Sequence, residues 1–223
     1  MNDTPRARPV RPRDAATLLV YRPGPRGLEV VMGRRSDKAR FRPGVYVFPG
    51  GRLEAADYHI TPLTPLAPSA LPNIGKGASI THAQALALAA IRETFEESGL
   101  IVGTRGDAGA SNHPSWEAIR TRGFAPALDA LVYLGRAITP PVQPIRFHAR
   151  FFAVEAQHAH GEFGGDSELE DLRWVPFNEV AQLEVMPVTL LMIESLNRYL
   201  AEPKDHRTAF LRFQHGRRTI SWV

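Results

Sequence analysis

The chain has 223 residues, 43% of them hydrophobic, enough for one globular domain with a sizeable core and one insertion. It contains no cysteine, which excludes disulfide frameworks and thiolate metal sites; this fits a reducing compartment, and a cytoplasmic location is the expectation. The formal charge of +4 gathers at the start, and neither a secretory signal nor an apolar run long enough to span a membrane is visible, so no membrane partner is expected.

Residues 1–13 read as a flexible Arg- and Pro-rich arm, in which Arg6, Arg8, Arg11 and Arg13 face only Asp3. Residues 14–223 read as a single domain. Its first elements are two apolar, β-branched-rich runs, 15–22 and 28–34, separated by Pro23-Gly24-Pro25-Arg26-Gly27 and expected to pair. A short run at Val45-Tyr46-Val47-Phe48 stops at Pro49-Gly50-Gly51, a loop able to approach a ligand closely. Residues 58–80 hold Pro62, Pro65, Pro68 and Pro72 with almost no charge, and read as an inserted loop, either a lid or an excursion.

A strong helix follows, with Thr81 as the expected N-cap, Gln84 completing a capping box, and Gly99 as the stop. Leu100–Val102 reads as a strand and the region from Trp116 to Arg122 as a short helix. Strand-like runs recur at 131–134, 147–155 and 169–175, with an acidic, glycine-rich loop between the last two. A helix is expected from Pro187 to about Leu200, and the tail from Ala209 could add an edge strand. The order suits a mixed α/β sandwich rather than a regular βαβ repeat.

The segment Arg92-Glu93-Thr94-Phe95-Glu96-Glu97-Ser98-Gly99 carries the most chemistry. At about 100° per residue, Glu97 lies roughly 40° and Glu96 roughly 60° from Glu93 around the helix. Leu88, Ile91 and Phe95 fall on the opposite side, so the helix can pack on a sheet while three acids project together. A solvated acidic face would look the same. Against it, three like charges at i, i+3 and i+4 repel one another, and they sit in the last turns, where the helix dipole disfavours anions. A divalent cation would reverse both penalties, and carboxylate oxygens suit a hard ion.

These residues resemble the Nudix hydrolase family, whose box reads G-x5-E-x7-R-E-U-x-E-E-x-G-U, with U a bulky aliphatic residue. Arg92-Glu93-x-x-Glu96-Glu97-x-Gly99-Leu100 is similar to its second half, and Phe48-Pro49-Gly50-Gly51 to the segment that opens it. Glu54 matches an acid often found three residues after the second glycine. Three positions depart from the pattern. Gly51 and Arg92 stand 27 residues further apart than the box allows, Gln84 stands eight residues before the arginine where a Glu is expected, and Thr94 replaces the aliphatic residue. The long insertion resembles a Nudix subgroup that includes a peroxisomal coenzyme A diphosphatase of animals. The spacing Arg35-Ser36-x3-Arg40-x3-Gly44-x3-Phe48-Pro49-Gly50-Gly51 is similar to the signature of other coenzyme A pyrophosphatases.

The resemblance implies a Nudix-type α/β/α sandwich around a mixed β-sheet. It implies metal-dependent cleavage of a diphosphate linkage in a nucleotide-containing small molecule, with coenzyme A or acyl-coenzyme A giving 3′,5′-ADP and (acyl-)phosphopantetheine as the substrate reading. Glu93, Glu96 and Glu97 would hold Mg²⁺ or Mn²⁺, with the Gly50 carbonyl as a further ligand. Arg92 would orient a carboxylate, with Glu54 the candidate. Arg35 and Arg40 would grip the 3′-phosphate or the diphosphate of coenzyme A, with Gly50 and Gly51 also binding substrate, though surface charge at a strand end accounts for the arginines as well. The base that takes the water proton is either a helix glutamate or one of Glu162, Asp166, Glu168 and Glu170.

Other signals are thin. His158 and His160 share one side of a strand without a third ligand, and no Gly-x-Ser-x-Gly elbow exists. Nucleic acid is not expected as a partner, and a homodimer is compatible with the sequence. The alternatives are a Nudix hydrolase of ADP-ribose, NADH or a dinucleoside polyphosphate, and a Nudix-fold binding module without catalysis.

Overall fold

The structure is a computed structural model that describes residues 10–39, 42–74, 79–165, 168–214 and 216–223. In chain order the strands are β1 Arg13–Gly24, β2 Gly27–Arg35, β3 Tyr46–Val47, β4 Gly50–Arg52, β5 Ile101–Val102, β6 Thr104–Arg105, β7 Phe124–Ala125, β8 Val132–Ile138, β9 Phe147–Glu155, β10 Ala159–His160, β11 Leu169–Pro176, β12 Ala209–Gln214 and β13 Arg217–Trp222. The helices are α1 Leu71–Ile74, α2 Ile80–Ser98, α3 Pro114–Thr121 and α4 Pro187–Ala201.

One mixed sheet organises the domain, in the order β11-β2-β1-β9-β8-β12-β13, with β3 paired to β2 and β4 to β1. β1 and β9 run parallel through nine consecutive pairs from Arg13–Phe147 to Tyr21–Glu155, while β1–β2 and β8–β9 are antiparallel. Side chains alternate along these strands. Leu18, Val20, Val31, Phe152 and Val154 join one core with Leu86 and Ile91 of α2. Leu19, Met32, Phe151 and Ala153 join the other with Leu191, Met192 and Leu196 of α4. Period-two alternation thus buries both faces and gives the α/β/α sandwich.

Several boundaries differ from expectation. β1 begins at Arg13, inside the span read as an arm, and the turn between β1 and β2 narrows to Pro25-Arg26, with Gly24 opposite Gly27. α2 is capped by Ser79, whose Oγ accepts the His82 N–H at 3.1 Å, rather than by Thr81. A serine two residues upstream competes for the same role and wins by extending the helix. The tail forms two strands, and β12 pairs in parallel with β8 rather than lying alone at an edge.

The inserted segment is built into the core. Ile60, Leu66, Ala70 and Ile74 are buried against α2 and the sheet. Its polar backbone is met by neighbours: Leu63 N–H donates to Pro126 O, Tyr133 Oη to Asn73 O, and Arg150 Nε to Ile74 O. The four prolines read as loop, but the apolar residues between them are spaced to insert one after another into a groove. Residues 75–78, with the glycine–lysine stretch, lie outside the described residues. Among those described, no helix is long and apolar enough to cross a membrane.

Candidate active site

α2 ends at Gly99, whose φ of 76° is left-handed and whose N–H donates to Phe95 O at 2.8 Å. The glycine-rich loop after β10 packs on this end, with Gly164 N–H donating to Ser98 O at 2.9 Å. A Cβ at Gly99 would stand 2.9 Å from Glu162 O, so glycine serves both the turn and the close approach. Thr94 fills the slot where an aliphatic residue was expected. It is fully buried and donates its hydroxyl to Ala90 O at 2.7 Å, which lets a polar side chain occupy an apolar position.

Arg92 and Asp57 are both buried. Arg92 Nε and Nη2 donate to the two Asp57 oxygens at 2.8 and 3.1 Å, a bidentate pair. Asp57 also accepts Trp116 Nε1–H at 3.1 Å and Glu54 N–H at 2.9 Å. The remaining Arg92 donors reach Arg52 O at 2.8 Å, Glu93 at 2.9 Å and Glu96 at 3.0 Å. Burial alone would lower the Arg92 pKa, but the surrounding carboxylates raise it. Asp57, rather than Glu54, is therefore the carboxylate that Arg92 holds. Asp57 stands six residues after Gly51, where the G-x5-E pattern places its acid. The insertion interrupts the box after that acid, so Gln84 is not its replacement. The sequence signal was available by counting forward from the glycine instead of backward from the arginine.

Glu97 lacks such compensation among the described residues. Glu97 is 2% exposed, and its carboxylate accepts one hydrogen bond, from Gly50 N–H at 2.8 Å. Burial pushes its pKa well above the usual carboxylate range, with the Gly50 N–H and Arg35 pulling back only in part. Burial likewise pushes Glu93 up to about 7 against the pull of Arg92. Gly51 is packed so close that a Cβ there would stand 2.4 Å from the Glu93 carboxyl carbon. Glu96 is shared between Arg92 and Ser115, whose Oγ donates at 2.5 Å. Among the described residues no three such acids or histidines converge on one point as a preformed metal cage. The donor set nonetheless fits a hard divalent cation: it is all oxygen, and among the described residues its most buried carboxylate, Glu97, has no cation bonded to it.

These groups line a cleft of about 770 Å³. Glu93, Glu96, Glu97, Gly50, Gly51, Arg35 and Glu168 all reach it. Arg35 is held by Glu168 at 2.9 Å. Glu162 lies beyond Glu96, in an adjoining cleft, and Glu170 pairs with Arg34 at 3.3 Å outside the site. Arg40 and Asp166 lie outside the described residues. Sequence reading missed Asp57, Ser115 and the far wall of the cleft, where Phe147, Phe151, Val185, Val188, Leu211 and Phe213 meet. That wall combines β9, β12 and the approach to α4, and no local motif marks a surface assembled from such distant segments.

A sandwich of this kind, with an acid-bearing helix facing a double-glycine loop, is the Nudix architecture. The family model of the NUDIX domain matches residues 11–192, and the chain belongs to the Nudix family. A solved NUDIX hydrolase from Alicyclobacillus acidocaldarius superposes with a TM-score of 0.66 at 29% identity, covering 84% of this chain and 91% of that one. The NUDIX domain of Shewanella oneidensis NrtR, solved with ADP ribose, shares the fold at a TM-score of 0.51 and 12% identity, over 89% of this chain and 94% of that one. Acyl-coenzyme A diphosphatase NUDT19 of Gallus gallus is 33% identical over 121 residues, 43% of this chain. The match spans 32% of that protein's length.

Proposed function

We propose that the chain is a diphosphatase that hydrolyses coenzyme A or an acyl-coenzyme A to 3′,5′-ADP and (acyl-)phosphopantetheine. The observation that carries this reading is the mixed lining of the cleft. It joins two kinds of group: carboxylates, Arg35 and the Gly50-Gly51 backbone, and aromatic and aliphatic side chains from β9, β12 and the approach to α4. A diphosphate needs the first, and the long, largely uncharged pantetheine arm of coenzyme A suits the second. The likeness to part of an acyl-coenzyme A diphosphatase points the same way.

Nudix hydrolases work with divalent metal ions, and here Glu93, Glu96 and Glu97, with the Gly50 carbonyl, would hold Mg²⁺ or Mn²⁺. The ion would neutralise the diphosphate and make water a better nucleophile. The chain's own groups do the rest. The Gly50 N–H fixes the rotamer of Glu97. Arg92, anchored on Asp57, spaces Glu93 from Glu96 and does not reach the cleft itself. Glu168 is the base candidate best placed by geometry, since it lines the same cleft as Glu97 and is paired with Arg35 at 2.9 Å.

The test is incubation with Mg²⁺ or Mn²⁺ and, separately, coenzyme A, acetyl-coenzyme A, ADP-ribose and NADH, with products identified by mass spectrometry. Release of 3′,5′-ADP from the coenzyme A compounds supports the reading. Cleavage of ADP-ribose or NADH alone keeps the diphosphatase and removes the substrate. No cleavage under either metal makes the chain a binding module.

A further inference from the structure

Past Glu96, which lines both spaces, a second cleft of about 920 Å³ opens against the C-terminal end of α2. Two guanidinium groups line it. Arg105 lies over the Phe124 ring at 4.3 Å, and Arg122 over the Phe95 ring at 5.2 Å. His160 stacks on Phe124 with ring centroids 4.6 Å apart. Each arginine is also tied to a backbone carbonyl, Arg105 Nη1 to Arg122 O at 3.1 Å and Arg122 Nη1 to Ala118 O at 2.9 Å. Among the described residues neither has a carboxylate partner, although the cleft contains two acids. Glu96 is occupied by Arg92 and Ser115, and Glu162 stands on the facing glycine-rich loop.

Arginines on a protein surface ordinarily roam or pair with acids. Here an aromatic face and a carbonyl fix each planar fork while most of its N–H donors stay unused, and both residues line the same cleft. Oriented, acid-free guanidinium groups match the geometry of a phosphate dianion, which accepts two donors from one fork. Arg35, expected to grip phosphate, is already engaged by Glu168.

We infer that this second cleft is a phosphomonoester subsite, reached from the catalytic cleft past Glu96, which holds the nucleotide's extra phosphate through Arg105 and Arg122. The identity of its ligand rests on the coenzyme A reading above, because coenzyme A carries a 3′-phosphate apart from its diphosphate. The subsite then makes the enzyme prefer nucleotides bearing that group.

The experiment is calorimetric titration of the intact protein with 3′,5′-ADP and with 5′-AMP, in Mg²⁺, for wild type and for Arg105→Gln/Arg122→Gln. Both side chains are exposed, and a thermal melt checks that the double variant folds. Wild type should bind 3′,5′-ADP about 10- to 100-fold more tightly than 5′-AMP, the range for a few hydrogen bonds between charged groups. The double variant should bring that ratio near one. Equal binding of the two nucleotides by wild type, or an unchanged ratio in the variant, overturns the subsite even if coenzyme A is cleaved. A ratio that collapses in the variant supports the subsite even if coenzyme A is not a substrate.

Discussion

Two clusters of buried charge share the last turns of α2, and they are finished to different degrees. Around Arg92 every donor has an acceptor, and Asp57 takes four hydrogen bonds at full burial. Around Glu97 and Glu93, one turn apart, burial is as deep for Glu97, but among the described residues no cation is bonded to it. The first cluster is complete within the chain. In the second, burial pushes Glu97 well above the usual carboxylate range, and a bound cation would offset that cost. A fold that places both within a few residues of one another uses the first as a rigid mount for the second.

Breaking the finished cluster should have the largest effect. Asp57→Ala leaves Arg92 buried and half unpaired, and a loss of about 3–5 kcal/mol is expected in urea unfolding at pH 7. If the loss stays under about 1 kcal/mol, Asp57 does not anchor the helix. Glu97→Gln addresses the unfinished cluster and should separate activity from stability. The isostere can still accept from Gly50 N–H, so the melting temperature should hold or rise, while kcat falls on the order of 10²–10³-fold. A variant that melts much lower would place Glu97 among the structural residues.

The pH dependence sharpens the comparison. Burial raises Glu93 to about 7 in the folded state from its ordinary 4.5, so the native protein holds more protons than the unfolded chain between those values. Glu93's share of metal-free stability, read as the difference between wild type and Glu93→Gln, should therefore fall as pH rises through that window, while His148, pushed down to about 4 by burial, acts in the opposite sense over the lower part of it. Saturating Mg²⁺ or Mn²⁺ should remove the fall, and the stabilisation by metal should be greater at pH 8 than at pH 5.5. Differential scanning fluorimetry across pH with and without metal reads this directly; equal metal shifts at both pH values would show that Glu93 does not hold the ion. The smallest effect is expected from Ser115→Ala, which removes one partner of Glu96 and should cost about 0.5–1.5 kcal/mol of stability.

The helix and its acids were legible because everything they needed was local. A 100° step places Glu93, Glu96 and Glu97 on one side, and Gly99 marks the stop. The partner of Arg92 was not read correctly, because an insertion breaks the spacing on one side and only the count from Gly51 survives it. The inserted segment was misjudged on composition. Proline counts describe the backbone, whereas Ile60, Leu66 and Ile74 are held by neighbours the sequence does not name. The second cleft was also hidden: Phe95, Arg105, Arg122, Phe124 and His160 come from separate elements, and the His158–His160 pair, set aside as a metal site for want of a third ligand, gave no sign that His160 stacks on a ring.

The parallel register between β1 and β9 has a consequence for the order of assembly. Gly50, Gly51, Asp57 and all of α2 lie in the chain between those two strands. Closing so long a loop costs entropy before any contact offsets it, which places the β1–β9 pairing on the slow side of folding. An isolated α2 peptide would have neither the Asp57 that holds Arg92 nor the Gly50 N–H that orients Glu97. The acid cluster is thus a late product of chain closure, and recovery of activity on refolding should track the rate-limiting phase rather than the earlier gain of helix.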